Sequence, residues 1–536
     1  MMNTNNTALP PSTRWAQTYK EFDSLLQRLD LSMKGVIPGC LGYSSEALRR
    51  RLVQKLADAL LSPYLRESAL LYKNGRLTFP GSEGPARVGA FWILTQGEIP
   101  RPAWLFIFRS LFRFALQWLL VLTAALRRKQ EGPLAGPVTI FFGMPEAAIA
   151  GPKMEGFVAF CKKGPVTPLQ QVERLLIQGI PPAGPRPAGH PFFSKRPLFA
   201  LNHIRRRGWK HTARFLMDHL LALSAFLRLV ARTPAACLLG KDFAYHSLVL
   251  SLNRDQLIGN IVITNSDYAN QGLWMIDLPG RCFQTHMTWY SMNSQPFSFR
   301  DYPVSVVFPL YRYMAIDHHW VWTQNQGNWL RELHPSTQTH VVGPILWVLP
   351  EARLLKQEEP EASFRIGVFD VTPAKPEWEK NFGLVYNYYR TDTMMAFVDS
   401  IAAAVQELES RMGMPISIEI KHKRNPTPIH DRTYIDHIAE LQSAGRLRVT
   451  PPDANLFLFT SRCDLVVVIP YSSPAYVAAC QGTPAVYYDP SSTLEPRQDM
   501  DPLIRFAGNQ RELVDAIAVQ ISEKTRGQKG ADRCAS

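Results

Sequence analysis

Two short segments carry the residue types that hold a phosphate. Lys421-His422-Lys423-Arg424 follows the alternating stretch ISIEI, and the corner Tyr471-Ser472-Ser473 stands between the apolar run DLVVV and the helix-forming PAYVAAC. Lysine and arginine supply point charge and a fork of donors, while serine hydroxyls and the unpaired N–H groups of a helix start form a cradle beneath. Together they predict a nucleotide-phosphate site. Asp489, at the end of the strand-like TPAVYY, is placed to accept a ribose hydroxyl. Each feature also has a structural reading: a basic run is often a solvated turn, and Asp489 suits a helix or turn cap. Convergence of the basic run with the serine corner favours phosphate.

The family resemblance carried by these segments implies group transfer from a nucleotide, whose leaving group needs its developing charge stabilised, by a metal or by fixed donors, and whose acceptor hydroxyl needs a base. Asp317-His318-His319 reads as a partly buried structural set, so a metal-independent reaction is expected, with Lys421, Lys423, Arg424 and the Ser472-Ser473 helix start holding the phosphate. His286, just before MTWYS, is the first candidate base because its unperturbed pKa suits the task, and Asp370 is the second. Their structural alternatives are a histidine packed among aromatics and a turn-forming aspartate. Trp289, Tyr290, Trp320 and Trp322 could stack on a sugar or base, although core packing explains them equally.

These residues need strand ends to carry them. From FRIGVFD onward, apolar strand patterns alternate with helical ones: residues 393 to 412 carry Phe397, Ile401, Val405 and Leu408 at helical spacing before Gly413, then ISIEIKHK, a helix over 431–444, RLRVT, ANLFLFTSR, DLVVV and a last helix near 510–523. Ser473 is read as the cap of the helix that follows DLVVV, Pro474 as its first residue and Gly482 as its stop. Repeated βα alternation predicts a doubly wound parallel sheet whose strand ends collect Asp370, Lys421 to Arg424 and Tyr471 to Ser473 on one edge. Upstream, VTIFFG, IGNIVIT, VSVVF and THVVG are strand candidates, whereas the proline-rich run from Ile180 to Pro197 predicts a long loop. The expected domains are a mostly helical region 1–130, a Rossmann-like domain 131–350, a linker 351–363 and a second Rossmann-like domain 364–525, which the same resemblance implies are the acceptor and nucleotide-sugar-binding domains. The fold class is therefore α/β, two Rossmann-like domains facing one cleft with a helical N-terminal extension.

Composition sets the partner class. The 536 residues are 46% hydrophobic with a net charge of +14, enough for two cores and for an anionic partner. Seven scattered cysteines without a Cys-x-x-Cys pair argue against a disulfide framework and a zinc site, and the polar N-terminus lacks a secretion signal's apolar core, so a cytoplasmic setting is expected. Residues 104–126 hold Arg109, Arg113 and Gln117 on one helical face. Such a stretch is either a helix lying in the bilayer interface or a core helix with snorkelling arginines. The basic stretch 203–215 would support the same surface. Nucleic acid ranks last as a partner, since no recognised nucleic-acid module appears.

The blocks VFDVTP, IKHKRNP and IPYSSPA…AVYYDP, with MTWYSMN and VWTQNQGNWL…HVVGPI upstream, resemble the bacterial polysaccharide-biosynthesis proteins named for a Pro-Phe-Thr-Ser motif; here that motif reads Pro470-Tyr471-Ser472-Ser473. The resemblance spans roughly 138 to 490. It implies a GT-B architecture and transfer of a sugar from a nucleotide donor to a lipid-linked or surface glycan, inverting and at the inner face of the membrane. Lys-His-Lys with Ser-Ser is also similar to the His-Pro and Ser-Ser/Thr motifs of enzymes that use CMP-linked acidic sugars, which favours that donor. His422 departs from the pattern, being followed by Lys423, with the proline only at 426. A nucleotide-sugar epimerase and a non-catalytic glycan-assembly protein docked on the membrane are the competing functions.

Overall fold

The computed structural model describes most of residues 33–67, 101–126, 207–265, 271–306, 309–344, 364–373 and 391–535, with shorter pieces elsewhere. Arg424 and the expected linker 351–363 lie outside the described residues. The chain divides into two compact units: Glu21–Tyr290 with Pro309–Leu349, and Ser291–Phe308 with Pro350–Ser536 and Met1–Lys20.

The first unit contains a seven-stranded sheet of β1 (Val138–Phe141), β2 (Leu175–Gln178), β3 (Phe192–Ser194), β4 (Ile258–Thr264), β5 (Gln284–Thr288), β6 (His318–Val321) and β7 (Gln338–Val341). Its order is β7-β6-β5-β4-β1-β2-β3 and every pairing is parallel. VTIFFG, IGNIVIT and THVVG supply β1, β4 and β7. The proline-rich run expected as loop contributes β3, which lies at the sheet edge directly after Pro191, where a missing N–H is tolerated. VSVVF does not join this sheet. Tyr302–Val306 forms an antiparallel hairpin with Phe297–Phe299 and belongs to the second unit. Among the described residues the longer helices of this unit are α1 (Ser45–Glu67), α2 (Arg101–Leu126), α3 (Trp209–Arg232), α4 (Gly240–Arg254) and α5 (Gln324–Leu333), with a short helix at Leu273–Asp277. The helical N-terminal region also holds a hairpin of Tyr72–Lys73 with Arg76–Leu77.

The second unit's sheet is built from β8 (Phe364–Phe369), β9 (Ile416–Lys421), β10 (Arg448–Thr450), β11 (Leu465–Val468), β12 (Ala485–Tyr488) and β13 (Ile504–Ala507). Between these strands run α6 (Thr391–Met412), α7 (Arg432–Ser443), α8 (Leu456–Ser461) and α9 (Ser473–Cys480), and α10 (Gln510–Ala535) follows. Strand order β10-β9-β8-β11-β12-β13, all parallel, is the doubly wound pattern 3-2-1-4-5-6. The continuous apolar run of β11 follows from burial on both faces: Leu465 to Val468 have no exposed surface. Local signals set the helix ends. Asp431 accepts from Thr433 N at 2.9 Å to cap α7, Asn455 accepts from Phe457 and Leu458 N to cap α8, and Gly413 ends α6 at φ 67°.

Close packing makes one glycine necessary. A Cβ on Gly367, in the middle of β8, would lie 2.6 Å from Cys463 Sγ and 2.9 Å from Phe459 Cε1. Gly367→Ala is expected to destabilise the protein by about 1–3 kcal/mol, read from the urea midpoint.

Candidate active site at the switch point of the second sheet

Strand order in the second sheet reverses between β8 and β11, and ligands of open α/β sheets bind outside the carboxyl ends of strands at such a point. Register makes the two loops there equivalent, because Phe369 pairs with Val468. Three residues beyond each of these strand residues stands a non-glycine residue in the left-handed region: Thr372 at φ 49° and Tyr471 at φ 61°. Such backbone costs about 1–3 kcal/mol per residue and clusters at functional sites. Both loops that flank the crevice therefore hold strain.

Asp370 is the hub of the first loop. Phe369 also pairs with Lys421, so Asp370 and His422 extend from neighbouring strand ends. His422 Nδ1 lies 2.6 Å from Asp370 Oδ2, which also accepts from Tyr434 Oη of α7 at 2.9 Å. Asp370 Oδ1 accepts from Lys423 N at 2.8 Å and Thr372 Oγ1 at 3.1 Å. All of Asp370, His422, Tyr434 and Thr372 are buried. With Nδ1 committed to the carboxylate, the imidazole is fixed in orientation, and its Nε2 has no hydrogen-bond partner among the described residues. Burial, and after it the Asp370 charge and hydrogen bond, push the Tyr434 hydroxyl well above its ordinary pKa, so it stays a donor.

These bonds reassign Asp370. Four donors occupy its two oxygens, so it positions His422 and is not disposed as a free base. His286 is not placed as a base either. It has no exposed surface, lies inside the first unit's sheet on β5, contacts Asn260 Oδ1 through Nε2 at 2.9 Å and stacks on His318 at 4.7 Å. Burial, then the neighbouring His318, lower its pKa to about 3.

The second loop leads into α9. Its cap is Ser472, not Ser473; Pro474 is therefore the second helical residue, and Gly482 at φ 76° follows the helix end as expected. Ser472 Oγ donates to Ile469 O at 2.7 Å, and Ser473 Oγ accepts from Met292 N at 3.0 Å. Tyr471 is buried, donates its hydroxyl to Glu495 O and lies under the Arg497 guanidinium. The motif tyrosine thus anchors the corner.

Two of the remaining residues are used elsewhere. Lys421 is buried and donates Nζ to Pro452 O at 2.6 Å, on the β10 side of β9 and away from β11. Asp489 is fully buried: Oδ1 accepts from Ser491 N and Oγ, Oδ2 from Thr493 N and Leu494 N. That geometry is the cap alternative, and a ribose hydroxyl would have to displace one of these donors. Lys423 places its side chain at the surface. Trp289, Trp320 and Trp322 are core residues of the first unit. Tyr434 had only one sequence signal, its spacing of four from Ile438 on a helical stripe.

Among the described residues no group of three or more histidine, cysteine or acidic side chains is arranged to hold a metal. An Asp-x-Asp triplet exists at Asp499-Met500-Asp501, but Asp499 pairs with Arg497 and Asp501 accepts from Leu503 N at 2.9 Å.

No curated protein matches the chain. Among solved structures it is similar to the wall teichoic acid polymerase TagF, at 11% identity and TM-score 0.39 over 78% of this chain and 90% of that one. It is also similar to the UDP-GlcNAc 2-epimerase of Methanocaldococcus jannaschii solved with UDP-GlcNAc and UDP, at 9% identity and TM-score 0.36 over 72% and 92%. A third is Anabaena Alr3699/HepE with UDP-glucose, at 11% and 0.35 over 73% and 90%. Residues 221–517, more than half of the sequence and including the whole switch-point site, match the family described as polysaccharide biosynthesis PFTS motif protein, and the chain belongs to that family.

Proposed function

We propose that the protein is a glycosyltransferase that moves a sugar from a nucleotide-activated donor, with a CMP-linked acidic sugar favoured, to a surface polysaccharide or lipid-linked glycan. The observation that carries this reading is His422, held by Asp370 on the same sheet rim as the strained corner that opens α9, with no partner for its Nε2 among the described residues. β9 and β11 flank β8, so their loops stand about 10 Å apart, a span one nucleotide phosphate and its sugar can bridge.

In the reaction, an acceptor hydroxyl oxygen bonds to the anomeric carbon as the bond from that carbon to the phosphate oxygen breaks. The leaving phosphate takes up the bonding electrons. Protonated His422, its imidazolium stabilised by the Asp370 carboxylate, donates Nε2–H to that oxygen, while the Ser472-Ser473 helix start solvates the phosphate. Attack opposite the leaving group inverts the anomeric centre. The acceptor proton passes to a base other than His286 or Asp370, the first being enclosed and the second saturated. Leaving-group stabilisation needs no metal in this scheme, and the protein works peripherally at the inner membrane face.

Thermal stabilisation by CMP, UDP and GDP, with Mg²⁺ or with EDTA, tests the donor site. One nucleotide at 100-fold its Kd should stabilise the wild type by about 2.7 kcal/mol irrespective of Mg²⁺, and His422→Ala should keep most of that response while losing turnover. A response that needs Mg²⁺ would remove the metal-independent scheme, and none to any nucleotide would remove the transferase reading.

A further inference from the structure

We infer that α2 and α3 form one docking face for an anionic lipid bilayer. The two helices run antiparallel as neighbours: Phe114 packs on Phe226 with ring centroids 4.1 Å apart, Trp118 stacks on His219 at 4.5 Å, and Trp118 Nε1 donates to His219 O at 3.2 Å. Both press the same side onto α4. A Cβ at Gly240, the first residue of α4, would lie 3.0 Å from Phe114 Cβ and 3.4 Å from Phe226 Cζ. The buried stripes Ile107, Phe114, Val121 and Phe215, Ala222, Phe226, Leu229 follow helical spacing, so the opposite sides must face away from α4.

Those outward sides are apolar. Phe108 and Phe112 are each 64% exposed, Met217 62% and Leu220 58%. Leu116 and Leu119 extend the strip on α2, and Leu221 and Leu227 on α3. A contiguous apolar strip of this kind on two adjacent helices is far more than scattered surface leucines. Among the described residues no helix is long and apolar enough to cross a membrane.

Charge selects the occupant. Arg109 and Arg113 are exposed beside the strip on α2, as are Lys210, Arg214, Arg228 and Arg232 on α3. α2 contains no acidic residue, and the single one of α3, Asp218, is ion-paired with Arg254. An apolar strip edged by cations, on two helices that hold no unpaired acidic residue between them, fits lipid tails flanked by anionic headgroups, whereas a second copy would bring the same cations against themselves. The docking role takes its purpose from the lipid-linked acceptor proposed above, but the surface argument uses none of the donor-site residues.

Flotation of the full chain with vesicles of phosphatidylcholine, alone or mixed with phosphatidylglycerol, tests it. The wild type should float with the mixed vesicles and lose most of that binding in high salt. Phe112→Glu with Met217→Glu should reduce binding at least tenfold, and Arg113→Glu with Arg228→Glu should reduce it several-fold, selectively on anionic vesicles. These exposed positions should leave the melting temperature and the nucleotide response unchanged. Failure of the wild type to float, or equal flotation of the Phe112/Met217 variant, would overturn the docking face. So would a concentration-dependent dimer broken by that variant, since the strip would then be a self-interface. Vesicle binding without any nucleotide response would leave the docking face standing and remove the donor-site reading instead.

Discussion

Asp370→Asn is expected to lower donor turnover by about 10²–10³-fold, and His422→Ala by a similar factor. The carboxylate accepts from His422 Nδ1 and Tyr434 Oη on one oxygen and from Lys423 N and Thr372 Oγ1 on the other. An asparagine there keeps the volume but puts an NH₂ where donors already point, and removes the negative charge that stabilises an imidazolium. Because the two residues act as one unit, the double variant should be little worse than either single one. Tyr434→Phe removes one of four hydrogen bonds and should cost far less. The measurement is release of nucleotide from the responsive donor, with kcat and KM separated. Losses in kcat that fail to add, at unchanged melting temperature, are the signature of positioning. If Asp370→Asn instead unfolds the protein while His422→Ala turns over normally, the pair is structural and the mechanism proposed for it is wrong.

Much of the second unit was legible because its periodicities are clean. DLVVV had to be a strand buried on both faces, Gly413 had to stop a helix, and the βα alternation forced a parallel sheet, so Asp370, His422 and Ser472-Ser473 could be assigned to one rim. What the sequence did not disclose was side-chain direction at strand ends. Lys421 and His422 are consecutive, yet one ammonium turns to Pro452 while the next side chain turns to Asp370, a choice made by tertiary neighbours. Asp489 likewise offered two roles, and the four donors that settle its geometry come from residues two to five positions later in a loop without regular pattern. Short strands escaped for a related reason. His318–Val321 is only four residues long and reads as an aromatic motif, and Phe192–Ser194 hides among prolines. β13, with its alternating Ile-Arg-Phe-Ala, shows how little pattern four residues can carry.

The first unit should lose stability steeply as the pH falls below about 6.5, through histidines that the fold keeps neutral. His286 is enclosed, and burial first, then His318, lowers its pKa from 6.5 to about 3. His334 is lowered to about 4 mainly by burial; its Nε2 meets Tyr311 O at 2.6 Å and its Nδ1 meets Arg50 Nη2 at 3.3 Å. A ring that donates to a carbonyl on one side and accepts from a guanidinium on the other has to be neutral. His246, beside the Tyr43 hydroxyl at 2.6 Å, is lowered to about 4 by burial as well. In the unfolded chain these rings take up protons near pH 6.5, whereas the folded chain refuses them, so their stabilisation is intact above that pH and is lost on descent toward 3 to 4. Each contributes about 1.4 kcal/mol per pH unit in that window, and three together about 4, against roughly 5–15 kcal/mol for a whole domain. Urea midpoints across the window, followed by a probe in the first unit, measure the slope. His286→Gln keeps an amide to bond Asn260 but cannot titrate, and should flatten the slope by close to one proton; His334→Gln should do the same independently. A wild-type midpoint that stays level down to about pH 3 to 4, or slopes unchanged in both variants, would mean that the buried rings are already protonated, and the neutral hydrogen-bond pattern of His334 would have to be reversed.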